Sequence, residues 1–511
     1  MPAFSSKGER WVLPRWRQWK IARATGELDS FQTVSMNPFR ANRERGLQEL
    51  RGQIDVFDRT NALYVASDVL SSALLCGDFD DPKIIRIAAY VETANDSSAI
   101  MVQMARSILR GEDSSSELDY LGKPTSDQMQ RRVAELRRAT RKEPRNALTW
   151  TDLAHAHTEL GEVDSAIREM QIAASLAPGN RFVVRSYVRL LVCMDELDRA
   201  ADLLNSSEVS DADPWIAAAR LTTSELAGRG LKSIKVYRRI LESGLPPWHI
   251  SELASALSGT ELRNGTLKLA KRLLQISLQD PTENAVAQAE WSAGKGLDVV
   301  RPVLLQTPRG YEARALHALR MGEYKDAVRH GVNWLVDQPF ALDPALFVSY
   351  VASTLIADYE TAVKAADKGL TYSPGSPLLL NNRAFALVHM NELEQARTSL
   401  SDKVTGNTEI EKACLDATRG LIAYREGNSK EGAIRYGRAI AAFRRINETE
   451  AMFMAVIMWA REELRAGGSE AEALIRRVTA MPDNFVHHPE LKSLKDRFLA
   501  SARAIANSSG A

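Results

Sequence analysis

The sequence predicts an all-α solenoid, a stack of helical hairpins with a helical cap at its N-terminal end, and three observations carry that prediction. One column of small residues recurs along most of the chain at a nearly constant step. Prolines follow that column at a nearly fixed interval. Apolar residues around it fall three or four apart, the spacing of a helix face rather than of a strand.

The chain opens on residues 1–57, a basic, tryptophan-bearing arm. Lys7, Arg10, Trp11, Arg15, Trp16, Arg17, Trp19, Lys20 and Arg23 lie in residues 1–24, which carry a net charge of +5, so the remainder must sum to −4 to reach the whole-chain value of +1. Guanidinium groups interleaved with indoles suit base stacking with phosphate contact, docking at a membrane interface or on a partner protein, and packing onto the protein's own helices. All of these stay open at this point. Residues 58–125 follow as the cap and its loop. The runs Leu63–Leu75, Ile84–Ala94 and Ala99–Leu109 are helical in period, and a solenoid's first hairpin needs its open apolar face covered. Asp81-Pro82 reads as an N-cap with a first-turn proline, in preference to a Mg²⁺ site shared with Asp78 and Asp80. Gly111–Asp127, rich in Ser, Asp and Glu, is the expected internal loop.

Residues 126–507 form the solenoid, about nine to ten hairpins with irregular copies near 215–306. Gln128–Lys142 reads as a lone second helix ending at Pro144. Ala147–Asn180 is the clearest hairpin. Trp150, Leu153, Ala154 and His157 share one face of its first helix, and Ala166, Met170 and Ala173 share one face of its second. Gly161-Glu162-Val163-Asp164 separates the two runs, and Pro178 ends the second. Small side chains at Ala154, Ala166 and Ala173 let the two backbones approach closely.

Ala166 is followed by Ala200, Ile234, Ala270, Ala327, Ala362, Ala396, Ala433 and Ala471, at nearly even steps apart from the long one between Ala270 and Ala327. Pro178, Pro246, Pro339 and Pro374 all stand at one interval after their column residues, and Pro281 and Pro482 stand one position closer to theirs. The long step leaves room for one extra hairpin, with helices near Asn284–Ala293 and Leu297–Gln306, closed by Pro308. Leu491–Ala506 is expected to cap the C-terminal end.

Ala147–Asn180 resembles the tetratricopeptide repeat, with His157 and Met170 standing where the family usually has aromatics. The resemblance implies a right-handed superhelix and a concave wall lined by solvent-facing positions of the first helices: Thr151, His155, Arg185, Arg189, Asn381, Phe385, Thr418, Ile422 and Arg425. It also implies that a partner protein or peptide is held there. Some members grip a peptide's C-terminal carboxylate with Lys and Asn across adjacent repeats. Here Thr151, His155 and Ser186 stand at those places, so that mode is not expected.

Composition narrows the function classes. With 66 basic and 65 acidic residues among 511, nothing global draws the chain to nucleic acid or an anionic membrane. Cys76, Cys193 and Cys414 form no CxxC pair, which argues against a disulfide framework or a thiolate zinc site. No apolar run approaches a membrane span and the N-terminus lacks a signal-peptide pattern, so a cytoplasmic protein is expected. The strings Gly228-Arg-Gly230 and Gly294-Lys-Gly296 lack the third glycine of a dinucleotide loop and read as turns. His155 and His157, two apart on a helix, face different sides and cannot share a metal ion, while His487-His488 reads as a helix-entry loop.

The expectation is therefore a non-enzymatic scaffold or regulatory subunit, without metal or cofactor. A nucleic-acid-associated solenoid anchored by Arg10, Trp11, Arg15, Trp16, Arg17, Trp19 and Lys20 is the first alternative. An enzyme with an unrecognised site is the second.

Overall fold

In the computed structural model of the chain, the described residues are 10–18, 43–76, 81–94, 99–109, 126–230, 234–297, 307, 309–482 and 489–509. They hold α-helices and no strand. The chain divides into two compact units, one of residues 18–119 and the other of residues 1–17 together with 120–511.

The smaller unit contains α1 (Arg43–Thr60), α2 (Leu63–Cys76), α3 (Pro82–Thr93) and α4 (Ala99–Leu109). Its core is its own. Leu50, Ile54 and Phe57 of α1 pack with Val69 and Leu70 of α2, Ile84 and Ile87 of α3, and Ile108 of α4. Helix α1 runs across residue 57, where the sequence suggested that an arm ends and a cap begins, because Leu50, Ile54 and Phe57 form one apolar stripe that the arm's charges obscured. Asp81 caps α3, its side chain accepting from the Lys83 amide at 2.8 Å. Asp78 and Asp80 lie outside the described residues, as do Trp19 and Lys20, most of Gly111–Asp127, Pro308 and His487-His488.

The larger unit begins with α5 (Ser126–Lys142), and hairpins follow in order. The first is α6 (Ala147–Glu159) with α7 (Val163–Leu176), the second α8 (Arg181–Cys193) with α9 (Leu197–Ser206), the third α10 (Pro214–Leu226) with α11 (Ile234–Leu241). The fourth is α12 (Pro247–Arg263) with α13 (Leu267–Ser277), and α14 (Glu283–Gly294) stands in the fifth place; of the helix expected near Leu297–Gln306 as its mate, residues 298–306 lie outside the described residues. The sixth is α15 (Tyr311–Met321) with α16 (Tyr324–Asp337), and the seventh α17 (Leu342–Val351), extended by a π-turn over Ala352–Ile356, with α18 (Tyr359–Tyr372). The eighth is α19 (Pro377–His389) with α20 (Leu393–Ser399), the ninth α21 (Glu409–Arg425) with α22 (Ser429–Arg445), the tenth α23 (Thr449–Ala466) with α24 (Ala471–Thr479). Helix α25 (Pro489–Ser509) closes the chain. Each helix packs on its hairpin mate, and each described first helix also touches a neighbouring first helix, so the first helices form the inner face of a curved stack. This is an α-solenoid of helical hairpins.

One turn recurs inside the hairpins. Glu162 N–H donates to His157 O, Glu196 to Leu191, Glu323 to Ala318, Glu392 to Leu387 and Asn428 to Ala423, each across five residues. Such a closure requires a left-handed residue just before the donor, supplied by Gly161, Asp195, Gly322, Asn391 and Gly427. Gly228 and Gly296, suggested as turns, have φ of 65° and 85° and serve the same purpose.

The small-residue column is the fourth residue of the second helix. Ala166, Ala200, Ala270, Ala327, Ala362 and Ala396 hold that place and are fully buried. The ninth and tenth hairpins depart from the sequence alignment. Their fourth residues are Gly432 and Leu474, both buried, whereas Ala433 and Ala471 are only half-buried. A Cβ at Gly432 would run into the Tyr424 ring, so the alignment slipped by one because the tightest contact here selects glycine over the alanine beside it.

The stack turns far enough to meet itself. Tyr372 Oη, on the seventh hairpin, donates to Glu159 O at the end of the first hairpin's inner helix at 3.2 Å, and a Cβ at Gly161 would press on Thr371 O. At the other end, Leu491, Leu494, Phe498 and Ala502 of α25 are buried, and Arg497 reaches back to the π-turn. Its guanidinium donates to Leu355 O at 2.8 Å and Thr354 O at 3.1 Å, occupying carbonyls that a helix end leaves without intrahelical donors. No helix among the described residues is long and apolar enough to cross a membrane.

Candidate interaction groove

Residues 10–17 of the same chain lie against the inner face, with contacts to the first hairpin, to the third through the sixth, and to Phe340 at the entry to the seventh. The segment has no regular secondary structure, and its side chains supply nearly all of its grip. Val12 joins the apolar cluster of Ala217 and Leu221 on α10 and Leu253 and Leu257 on α12. Trp11 lies beneath the Arg263 guanidinium, 4.0 Å from its ring centre. Trp16, fully buried, wedges between His155 of the first hairpin and Phe340 at the entry to the seventh, each ring centre 5.1 Å away.

Three arginines meet three carboxylates. Arg10 takes Glu312 in a two-point grip, Nε to Oε1 at 2.6 Å and Nη2 to Oε2 at 3.1 Å. Arg15 shares that carboxylate through Nη2 at 2.7 Å. Arg17 forks onto Asp337, Nε to Oδ1 at 2.9 Å and Nη2 to Oδ2 at 2.7 Å, and also donates to Glu283. Asn284 on α14 ties backbone to side chains. Its amide nitrogen donates to Leu13 O and to Glu252, each at 2.9 Å, and its oxygen accepts from Arg10 at 3.2 Å and Arg15 at 3.3 Å. All four of its hydrogen-bonding capacities are thereby used. Behind it, Arg185 donates to Glu252 at 2.7 Å and stacks over Trp215.

The electrostatics follow from this pairing. Burial pushes the Glu312 carboxyl up, but Arg10 and Arg15 outweigh it and hold it below its ordinary value. Asp337 is likewise raised by burial and brought below its ordinary value by Arg17. Asp343, without such a pairing, is raised by burial and by the Glu312 charge.

These contacts correct two expectations. Thr151, His155, Arg185, Asn381, Phe385, Thr418 and Ile422 are buried rather than solvent-facing, and Arg189 and Arg425 are half-buried. In the first and second hairpins the physical reason is that the stack returns on itself and receives an arm, whereas Asn381, Phe385, Thr418 and Ile422 lie in first helices packed on their hairpin mates and on neighbouring first helices. Phe385 packs edge-on against His389, and Arg425 forks onto Glu462 at 2.6 and 3.1 Å. The second correction concerns the arm. Arg10, Arg15 and Arg17 are paired with carboxylates and Trp16 is enclosed, so the described part is no open basic surface for phosphate. His157, fully buried, bonds Glu169 at 2.6 Å and Arg137 at 3.1 Å as a core residue.

The wall residues Glu252, Glu283, Asn284, Gln288, Glu312 and Asp337 were not singled out as groove residues in the sequence. Their only trace there is the net −4 that the chain carries beyond residue 24.

No protein-family profile and no curated protein matches the chain. Among solved structures, similarity covers nearly the whole chain at low identity. The Cut9–Hcn1 hetero-tetramer of APC/C aligns at 12% identity and TM-score 0.36, over 96% of this chain and 99% of that one. Yeast Tom70 aligns at 12% and 0.29, over 96% and 97%. Naa15/Naa10 bound to HypK aligns at 13% and 0.23, over 91% and 79%. Likenesses at this level carry nothing about function, and the solenoid architecture rests on the chain's own hairpins.

Proposed function

We propose that this protein is a non-enzymatic interaction scaffold that holds a protein segment along the inner face of its solenoid. The observation that supports it is the seating of residues 10–17: the wall provides carboxylates, an amide and aromatic contacts spaced for an irregular peptide, and a peptide occupies them. Peptide recognition of this kind is carried by a few buried aromatic and arginine anchors. Of the inner-face residues expected from the sequence, the proposal gives the half-buried Arg189 and Arg425 a direct part in holding a partner, and the buried ones the part of shaping the wall behind it. The nucleic-acid alternative is weaker, since a phosphate would have to displace carboxylates from Arg10, Arg15 and Arg17.

The test is site-specific photo-crosslinking in cells of origin. A crosslinker at Arg461, whose side chain reaches His389 two hairpins back across the inner face, should give an adduct with a protein. Probes at exposed Ile172 and Ile434, on second helices, should not. Adducts from the second helices alone would overturn the proposal.

A further inference from the structure

We infer that the wall of Glu283, Asn284, Gln288, Glu312 and Asp337 is a recognition site for an extended partner segment in which arginines flank a tryptophan, and that residues 10–17 are its internal competitor. This rests on the protein-binding proposal above and adds the chemistry of the partner.

The wall cannot comfortably stand empty. Arg15 lies 2.7 Å from Glu312, 3.5 Å from Glu283 and 3.6 Å from Asp337, so all three carboxylates converge within reach of one guanidinium. Without the arm, three like charges would face each other in a largely desolvated place, with Arg309, 3.4 Å from Asp337, offsetting part of one of them. Only a ligand carrying its own positive charges can exchange with the arm at small cost.

The site also reads side chains more than backbone. Asn284 donates to Leu13 O of the arm's main chain, while Arg10, Trp11, Val12, Arg15, Trp16 and Arg17 meet the inner face through their side chains. Another protein segment presenting the same groups at the same spacing would satisfy the wall equally well. Planar, two-point capture of carboxylates by guanidinium selects arginine over lysine. The Trp16 site, closed by His155 and Phe340, selects a large flat ring. In the chain, residues 18–119 intervene between the arm and the solenoid it fills, so the competitor stays tethered after release.

The experiment uses the full chain and a fluorescent peptide of residues 8–19, with a second peptide carrying Arg10→Glu, Arg15→Glu and Arg17→Glu. The wild-type peptide is titrated against wild-type protein and against protein bearing the same three substitutions, whose arm the wall repels. It should bind the substituted protein at least about tenfold more tightly than wild type, and the charge-reversed peptide should bind neither. Should the triple variant lose helicity by circular dichroism, full-length Arg15→Ala takes its place, with a gain of about threefold expected. Equal affinity for wild type and variant, or no binding to either, overturns the inference. So does release of the arm by a single-stranded oligonucleotide but not by the peptide. A wild-type dimer that the peptide splits into monomers would assign the occupant to a second copy's arm and overturn the internal-competitor form. None of these results depends on the crosslinking test of the inner face, so the two proposals fail separately.

Discussion

The inner faces of the early and late hairpins are both lined with buried charge, yet they neutralise it in opposite ways. In the ninth and tenth hairpins the partners lie one repeat apart: Arg425 forks onto Glu462, Tyr424 Oη donates to Glu463, and Trp459 Nε1 donates to Tyr424 Oη at 2.8 Å. In the fifth and sixth hairpins, Glu283, Glu312 and Asp337 are met by arginines hundreds of positions away in sequence, at the other end of the chain. Neighbour-to-neighbour pairing makes a wall that is complete by itself. Pairing with a remote segment makes a wall whose occupant can in principle be exchanged.

The largest expected effect separates these two designs. Glu312→Lys would place a cation against Arg10 and Arg15, and should cost about 3–5 kcal/mol in urea unfolding, the range for breaking a buried pair. Hydrogen exchange read by mass spectrometry should show residues 10–17 losing protection while α21–α24 keep theirs. The same wall answers to acid. Glu312 and Asp337 are held below their ordinary values of 4.5 and 3.8, so the released state binds more protons than the docked one as pH falls. Arm protection should hold above those ordinary values and disappear as pH falls through the depressed ones. Loss beginning near neutrality would contradict the pairing.

A smaller effect is expected at the self-completed wall. Glu462→Gln keeps the shape but removes the charge facing Arg425, and should cost about 1.5–3 kcal/mol with arm protection unchanged. The smallest effect tests the packing column. Gly432→Ala should destabilise by about 1–3 kcal/mol through the Tyr424 ring, whereas the neighbouring Ala433→Leu should stay within about 0.5 kcal/mol. Thermal melts of the two variants decide it, and the reverse order would restore the alignment through Ala433.

How much was legible varies by region for physical reasons. The hairpins from Ala147 onward follow from local rules, because helix period, a left-handed residue at the turn and a small fourth residue in the second helix all lie within one repeat. The poorer copies between residues 215 and 306 still form hairpins in α10 to α13, since Trp215, Leu253 and Leu274 supply burial where the consensus is weak. Helix α1 is harder to read from sequence because Leu50, Ile54 and Phe57 are its buried apolar stripe among many charged residues. The groove residues were placed on a solvent-facing wall because a single repeat does not reveal how far the stack curves.

The sequence by itself determined the ladder of hairpins, as every interaction that defines a rung joins residues within about one period of each other. It also displayed both halves of the groove, three arginines with tryptophans at one end and scattered carboxylates hundreds of positions later. Only the tertiary structure decided that they meet. Superhelical curvature accumulates from small rotations at each hairpin, and it is that sum, absent from any one repeat, that brings Glu283, Glu312 and Asp337 around a common centre and closes His155 and Phe340 over Trp16.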